Sequence, residues 1–520
     1  MFTRILYNAV ILPLMETGLL LGAIGSQKLR RGVLGRIGEG ARLMQARNRC
    51  RDYKPRLIVH CASAGELESA IPLMDAIRLK ADVDLILTIY SPSAVQRAKT
   101  VTSIVDRIYL PFDTAFRIRR MLDILQPDLI ILVKHDVWPN LVWMANERGI
   151  PIVLVNGNFR PDSKRLNRLA CFFNGDVLGS LTAIYAVAED DASRFRNVAG
   201  ISKGSVSLRA CESLLRACES LLRACESLLR ACEPLLRACE SLLRACDSSR
   251  TGTSQAGTSQ AGTSQTGISQ AGISQAGTPT LLSGRGRLRY HRYPYIEAAG
   301  DTRFDRVQQR ALASRRDQGE LAKILAERSV VVAGSTWRED ESLILPAWKN
   351  ILAQIPNAVL ILVPHEPTPE RLQQIQQECQ RIQLKAVTLS AIERHAQLES
   401  IIIVDRSGIL AGLYGLGKIG YVGGGFGKGV HSVIEPAVFG IGVLFGPRHF
   451  NSHEARDLLQ LGAAVSINSS QQLETLFLEA LTEGEASQHR GKAAGDFVQR
   501  QAGVAEILAE RLIKLIASRS

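Results

Sequence analysis

Apolar positions along the chain fall into two series of short β-branched runs, each run separated from the next by a stretch with helical spacing. The first series reads RLIVH, VDLILTIY, DLIILVK, PIVLVN and AIYAVA from residue 56 onward. The second begins at SVVVAG (329–334) and continues through AVLILVP, SIIIVD, KIGYVG and GVLFG. Runs that are apolar throughout mark strands buried on both faces, and their alternation with helices is the signature of a parallel sheet covered by helices. The pattern predicts an α/β protein with two doubly wound, Rossmann-like domains, and ligands in such folds sit beyond the carboxyl ends of the strands.

Two regions depart from this pattern. The segment ILYNAVILPLMETGLLLGAIG (5–25) is about long enough to cross a bilayer, although Asn8, Pro13 and Glu16 interrupt it. It has no small-residue cleavage site, and Lys28, Arg30, Arg31 and Arg36 follow at once, a bias that would leave everything after them in the cytoplasm. An anchor or interfacial helix is expected, the alternative being an ordinary buried N-terminal helix. The second departure is a SLLRACE heptad repeated through 213–246, followed by a GTSQA-like pentad through about 277. Glu212 and Arg216 are four apart and Leu215, Cys218 and Leu222 share a stripe, but Pro234 interrupts the helix, and the GTSQ tract has the composition of a disordered segment. A surface insertion over 205–290 without chemistry is the plainer expectation, a coiled-coil oligomerisation arm the sharper one.

Length and composition bring in a partner. A chain of 520 residues has room for two or more domains, and 63 Lys+Arg against 50 Asp+Glu leaves +13, which calls for something anionic. Aromatic residues at 5% give few stacking platforms, so an anionic membrane surface or a phosphorylated substrate ranks above nucleic acid, which is not expected as a partner. Of ten cysteines, only Cys50, Cys61, Cys171 and Cys379 lie outside the heptads, without CxxC or Cys/His spacing. That distribution reads as a reduced, cytosol-facing protein with no metal site.

Candidate chemistry clusters at strand ends. In RLIVHCASAGELESAIPLMDAIR (56–78) a strand, a small-residue turn and an amphipathic helix put Ser63 and Glu66 at the strand's carboxyl end, where Glu66 is either a helix-capping carboxylate or a general base facing an interdomain cleft. GSTWREDE (334–341) offers Gly334 and Ser335 where a phosphate can dock, or else an N-cap by Ser335 or Thr336; LVPHEPTPERL places His365 at a further strand end. GGGFGKGVHSVIEP (423–436) strips side chains from the backbone ahead of a helix expected near Ser432. Its glycines would admit a ligand, with a positive His431 or the helix N-terminus toward phosphate and Glu435 toward ribose. The spacing matches neither GxGxxG nor a P-loop, and GPRHFNSHEA (446–455) points to the same sheet edge.

In order and spacing these stretches resemble the bacterial 3-deoxy-D-manno-octulosonic acid (Kdo) transferases, GT-B glycosyltransferases of lipopolysaccharide synthesis. HCASAGE, DVWPN, LVNG, GDTRFDRV, AGSTWREDE, VPHEPTPERL, GGGFGKGVHSVIEPAVFG and VLFGPRHFNSHEA cover nearly the whole chain outside 205–290. The resemblance implies a GT-B fold with two Rossmann-like domains facing across a cleft. It further implies an inverting, metal-independent enzyme without cofactor, on the cytoplasmic face of the bacterial inner membrane, that moves Kdo from a CMP-Kdo donor to a lipid A precursor, lipid IVA. The family's catalytic glutamate falls on Glu66. Its nucleotide-binding motifs fall on Arg303, Ser335, His365, Gly424, Gly425, His431 and Glu435, and Asn451 and Glu454 occupy its last stretch; Ser63, Lys134 and Asp136 are the acceptor-side candidates.

Two departures touch acceptor choice and the number of Kdo units added. The usual ExExWPN reads Lys134-His135-Asp136-Val137-Trp138-Pro139-Asn140, and the usual GGHN reads Gly429-Val430-His431-Ser432. Lys134 in place of a glutamate would neutralise an acceptor phosphate or the sugar carboxylate. The expected organisation is an anchor and basic flank over 1–36, an acceptor-side domain over 37–204, the insertion over 205–290, an interdomain segment over 291–310 and a nucleotide-sugar-binding domain over 311–520. Another GT-B enzyme with a different nucleotide sugar, and a non-catalytic membrane-tethered scaffold assembled through the heptads, are the alternatives.

Overall fold

A computed structural model describes residues 2–134, 136–159, 168–201, 294–316, 319–450 and 452–518. The expectations for 205–290, His135 and Asn451 fall outside the described residues. Two seven-stranded sheets, parallel throughout, organise the chain. The first contains β1 (Arg56–Cys61), β2 (Asp84–Ile89), β3 (Asp106–Tyr109), β4 (Leu129–Val133), β5 (Ile152–Gly157), β6 (Ala183–Ala186) and β7 (Tyr295–Ala298), in the order β3-β2-β1-β4-β5-β6-β7. The second contains β8 (Ser329–Thr336), β9 (Ala358–Pro364), β10 (Ala386–Thr388), β11 (Ile401–Ile403), β12 (Ile419–Val422), β13 (Gly442–Phe445) and β14 (Ala464–Ser466), in the order β10-β11-β9-β8-β12-β13-β14. The order reverses between β1 and β4 in one sheet and between β8 and β12 in the other, and a doubly wound fold binds ligands at such points.

The central strands are buried on both faces because they are apolar at every position. Every residue of Leu129–Val133 and of Ile401–Ile403 is fully buried. Each sheet separates two apolar layers. One layer of the first sheet includes Val504, Leu508, Leu512 and Ile516 from the chain's last described helix, Val504–Ala517. That helix packs on the helix Ala64–Lys80, so the expected C-terminal domain over 311–520 does not hold as one unit: its end belongs to the N-terminal domain. The expected interdomain segment is corrected as well, since Tyr295–Ala298 is strand β7, paired with β6. The chain therefore crosses between domains twice. Asp305, in the first turn of the helix Arg303–Arg316, ties the crossings together by accepting the backbone N–H groups of Gly503 (2.8 Å) and Ala505 (3.2 Å).

At the other end, helical backbone runs through Thr3–Gly25, long and apolar enough to cross a membrane by length and composition. Its first turns are nonetheless fastened to the N-terminal domain. Thr3 Oγ1 donates to Asp176 (2.5 Å), Arg4 pairs with Glu147 (2.5 Å), the Tyr7 hydroxyl donates to Asp113 (2.8 Å) and Asn8 exchanges hydrogen bonds with Asn140 (2.8 and 3.2 Å). Tyr7, Val10 and Leu12 are buried, whereas Leu14, Met15, Leu20, Leu21 and Ile24 are exposed. Arg36 is not part of a basic flank: it is buried, donates to the carbonyls of Leu110, Gly32 and Tyr90, and lies 4.3 Å from the Tyr90 ring centroid.

Candidate active site

Residues that follow β1 and β4 flank the reversal point of the first sheet. Ser63 caps the helix Ala64–Lys80, its Oγ accepting the Glu66 N–H at 3.4 Å. Glu66 folds back so that Oε2 accepts the N–H groups of Ala62 (2.6 Å) and Ser63 (3.1 Å). Glu66 is thus a capping carboxylate, and it is also buried at 6% exposure. Burial first, then the charge of Asp136, hold its carboxyl above the ordinary range, against the two amides and Lys134, which pull it down. A carboxyl so placed is oriented by its own backbone and tuned toward accepting a proton.

Lys134 follows β4 in the left-handed region, at φ 67°. Asn156 and Ser335 share that conformation at the ends of β5 and β8, with φ 54° each. Non-glycine residues pay for this geometry, so the backbone at these three strand ends is constrained. The Lys134 ammonium is held below its usual value by burial and then by Arg303, while Asp301, Glu66 and Glu454 oppose the fall. Arg303 donates through Nε to Asp301 (2.7 Å) and through Nη2 to Glu454, and these two carboxylates raise it despite its burial. Glu454, on the helix His453–Gln460 beyond β13, is raised by burial but lowered further by Arg303, and it also accepts from Ser452 Oγ at 2.7 Å. The Thr302 hydroxyl and amide meet Asn156 at 2.7 and 3.2 Å, which docks this linker on the first domain.

Around the second reversal point the arrangement differs from what the sequence alone implies. Ser335 and Thr336 remain in β8, with a register shift between Gly334 and Thr336; neither caps the next helix. Asp340 does that work, accepting the N–H groups of Trp337 (2.8 Å) and Gly424 (2.9 Å) and the Tyr421 hydroxyl (2.7 Å). The helix expected near Ser432 is the four-residue turn Ile434–Ala437, too short to present a phosphate-binding N-terminus. His431 is not positive either. Burial and then His365 push its imidazole down to about 4, and its Nε2 accepts the Trp337 indole N–H at 3.0 Å. Because indole is a donor only, the ring's proton resides on Nδ1. Trp337, His365 and His431 form a stack, with centroids 4.7 Å apart for the first pair and 4.3 Å for the second.

The glycines have a reason internal to the protein. A Cβ on Gly423 would lie 2.2 Å from Ser335 O, on Gly424 2.5 Å from Gly429 O, and on Gly425 2.5 Å from Gly446 N. Three main-chain segments converge on the turn, so side chains are excluded before any ligand is considered. Gly427, by contrast, has its nearest such neighbour at 3.8 Å.

The structure gathers Glu66, Lys134, Asp136, Arg303 and Glu454 into one electrostatic cluster, and Gly424, His365 and His431 near Trp337 into another, while Gly425 packs on Gly446. Glu435 belongs to neither, since it faces Arg310 at 3.9 Å and is raised by burial. Glu68 is a residue the sequence reading missed. It accepts from Arg306 at 2.7 Å, pairs with Arg97 and lies 4.0 Å from Arg310, joining the two domains. Its motif neighbour Glu66 was visible in sequence, but the arginine partners lie on a distant segment with no periodic signal.

Residues 35–209 match the family described as 3-deoxy-D-manno-octulosonic-acid transferase (kdotransferase). A 3-deoxy-D-manno-octulosonic acid transferase of Haemophilus influenzae is 23% identical over 468 residues, 88% of this chain and 86% of that protein. One of Rickettsia felis is 36% identical over 163 residues, 31% of this chain and 35% of that protein. Among solved structures, UDP-GlcNAc 2-epimerase from Neisseria meningitidis, bound to UDP-GlcNAc, aligns over 88% of this chain and 100% of its own at 11% identity, with a TM-score of 0.50. That likeness is one of fold, the two-domain GT-B arrangement. With residues 35–209 matching that family and a relative aligned along most of both chains, the chain is similar to the Kdo transferases.

Proposed function

We propose that the protein transfers Kdo from CMP-Kdo to a hydroxyl of a lipid A precursor, with inversion at the anomeric carbon. The observation that carries the mechanism is Glu66: buried, held by two amides and raised, at the carboxyl end of β1. The acceptor oxygen attacks the anomeric carbon as its proton passes to Glu66, and the bond to the CMP phosphate breaks with its electron pair leaving on CMP. No covalent enzyme intermediate forms. Lys134 and Arg303 supply positive charge for the sugar carboxylate, the phosphate or an acceptor phosphate. His431 contributes an Nδ1–H donor rather than a charge, and the Trp337 stack offers a flat surface to the donor. Asn451, which lies outside the described residues, keeps its expected place in donor binding.

We infer that the N-terminal helix lies in the membrane interface. With its first turns fastened to the domain, the remaining 13–25 segment spans about 20 Å at 1.5 Å per residue, short of the roughly 30 Å hydrocarbon core. The following helix Gln27–Leu34 exposes Leu29 and Leu34 beside Lys28, Arg30 and Arg31, the composition of an amphipathic helix on an anionic surface. We place it on the cytoplasmic face of the bacterial inner membrane, where a water-soluble nucleotide sugar meets a lipid-borne acceptor.

Glu66→Gln is the test. Loss of a general base predicts a transfer rate lower by roughly 10²–10⁴ with CMP affinity unchanged. Near-normal turnover of this variant, followed by the mass of the glycosylated lipid, refutes the assignment.

A further inference from the structure

Two apolar pockets adjoin in the N-terminal domain, sharing Met15 and Trp138 in their walls. One, of about 250 Å³, is lined further by Ile11, Phe159, Phe173 and Val177, and Asp136 contributes to its wall. The other, of about 260 Å³, is lined further by Leu12, Leu19 and Phe112, with Glu16, Tyr90 and Asp113 as its polar groups. Trp138 is pinned between them: its indole N–H donates to the buried His60 Nε2 at 3.1 Å and its ring stacks on Tyr90 at 4.6 Å. The partition is therefore rigid. Open apolar volume with a few placed polar groups is the character of a ligand site rather than of a packed core.

Position says what occupies them. The outer wall is the N-terminal helix, whose free side carries Leu14, Leu20, Leu21 and Ile24, an exposed apolar strip suited to a lipid layer. The inner wall carries Asp136, close enough for its charge to act on Glu66. A molecule that fills the first pocket from the lipid side thus reaches Asp136, the residue whose charge acts on the Glu66 carboxyl. Two pockets side by side call for a molecule with more than one chain.

We propose that these pockets seat two acyl chains of the acceptor lipid, so that burial of the chains, rather than contacts to the sugar alone, brings the reacting hydroxyl to Glu66. This rests on the transfer reading above. Binding energy drawn from a remote apolar part of a substrate is a recognised way to orient its reacting end.

The experiment uses the full chain in detergent micelles, with Ile11→Trp narrowing the first pocket and Leu19→Trp the second. Both positions are only partly buried, which spares the core. The readout is kcat/KM for a tetra-acylated acceptor relative to the fully deacylated phosphorylated disaccharide, with the KM for CMP-Kdo as reference. Each variant is expected to lower that preference at least tenfold, through acceptor KM, with the donor KM unchanged. A preference within twofold of the wild type overturns the proposal, as it would if bulk phospholipid were the true occupant, and so does a loss of rate shared equally by both acceptors. Retention of radiolabelled tetra-acylated acceptor without donor separates the two readings. If the wild type transfers to neither acceptor yet binds the lipid, and Ile11→Trp does not, the pockets stand and the transfer reading falls. Equal retention by both proteins overturns the pockets.

Discussion

Asp136 and Lys134 pull the Glu66 carboxyl in opposite directions, which makes the base assignment testable through acidity. A general base works deprotonated, so activity rises with pH through its pKa. Asp136→Asn removes a negative neighbour and should move the acidic limb of the kcat/KM profile to lower pH; Lys134→Ala removes a positive one and should move it higher. Shifts of the same sign in both variants would assign the limb to another group. The glycine turn gives a second residue-scale prediction. Gly425→Ala sets a Cβ 2.5 Å from Gly446 N and should cost about 1–3 kcal/mol in thermal or denaturant unfolding, whereas Gly427→Ala should stay within about 0.5 kcal/mol. The sequence shows that side chains are absent from this turn but not what fills their place, because Ser335 and Gly446 reach it from other strands. The charge of His431 was hidden for a similar reason: it depends on burial, His365 and a Trp337 indole from a different βα turn.

Among the secondary-structure elements, the strands that pattern reading passes over are β3, β7, β10 and β14, the outermost strands of the two sheets. Their sequences, DRIY, YIEA, AVT and AVS, are short, and they lack the all-apolar runs that betray a strand buried on both faces. The central strands, apolar throughout, are legible from sequence, and so is the helix after each. The docking of the N-terminal helix depends on Asp113, a buried carboxylate that accepts from Tyr7 and from the N–H groups of Asn140 (2.9 Å) and Leu141 (3.0 Å). Tyr7→Phe removes one donor and should cost about 1–3 kcal/mol. Faster amide exchange over residues 2–12 is the measurement. Burial raises the Asp113 carboxyl from 3.8 to about 7, so the folded state holds this proton more tightly than the unfolded chain. Its stabilising contribution is complete below about 4 and fades as pH rises through about 7, so exchange, corrected for intrinsic rates, should be slower at about pH 5 than at about pH 8.

For the whole molecule, Glu68 is the point where the domains are clasped. Arg306 and Arg310 come from the helix that opens the second domain and Arg97 from the first, and together they hold Glu68 below its usual range although burial alone would raise it. Glu68→Gln leaves three guanidinium groups facing one another. Between the surface and buried extremes for ion pairs this should cost about 1–3 kcal/mol. A larger radius of gyration in solution scattering and a lower kcat are expected, with CMP affinity little changed; unaltered scattering and rate would show that the clasp does not set domain approach.

The paired crossings bolted by Asp305 work like two adjacent knuckles of a door hinge. A single connecting strand lets two bodies swivel in any direction, but two that lie together leave swinging about one line as the easy motion and resist twist. Opening and shutting would therefore return the bodies to the same alignment on every cycle, and a protease nick in either crossing alone would leave them joined.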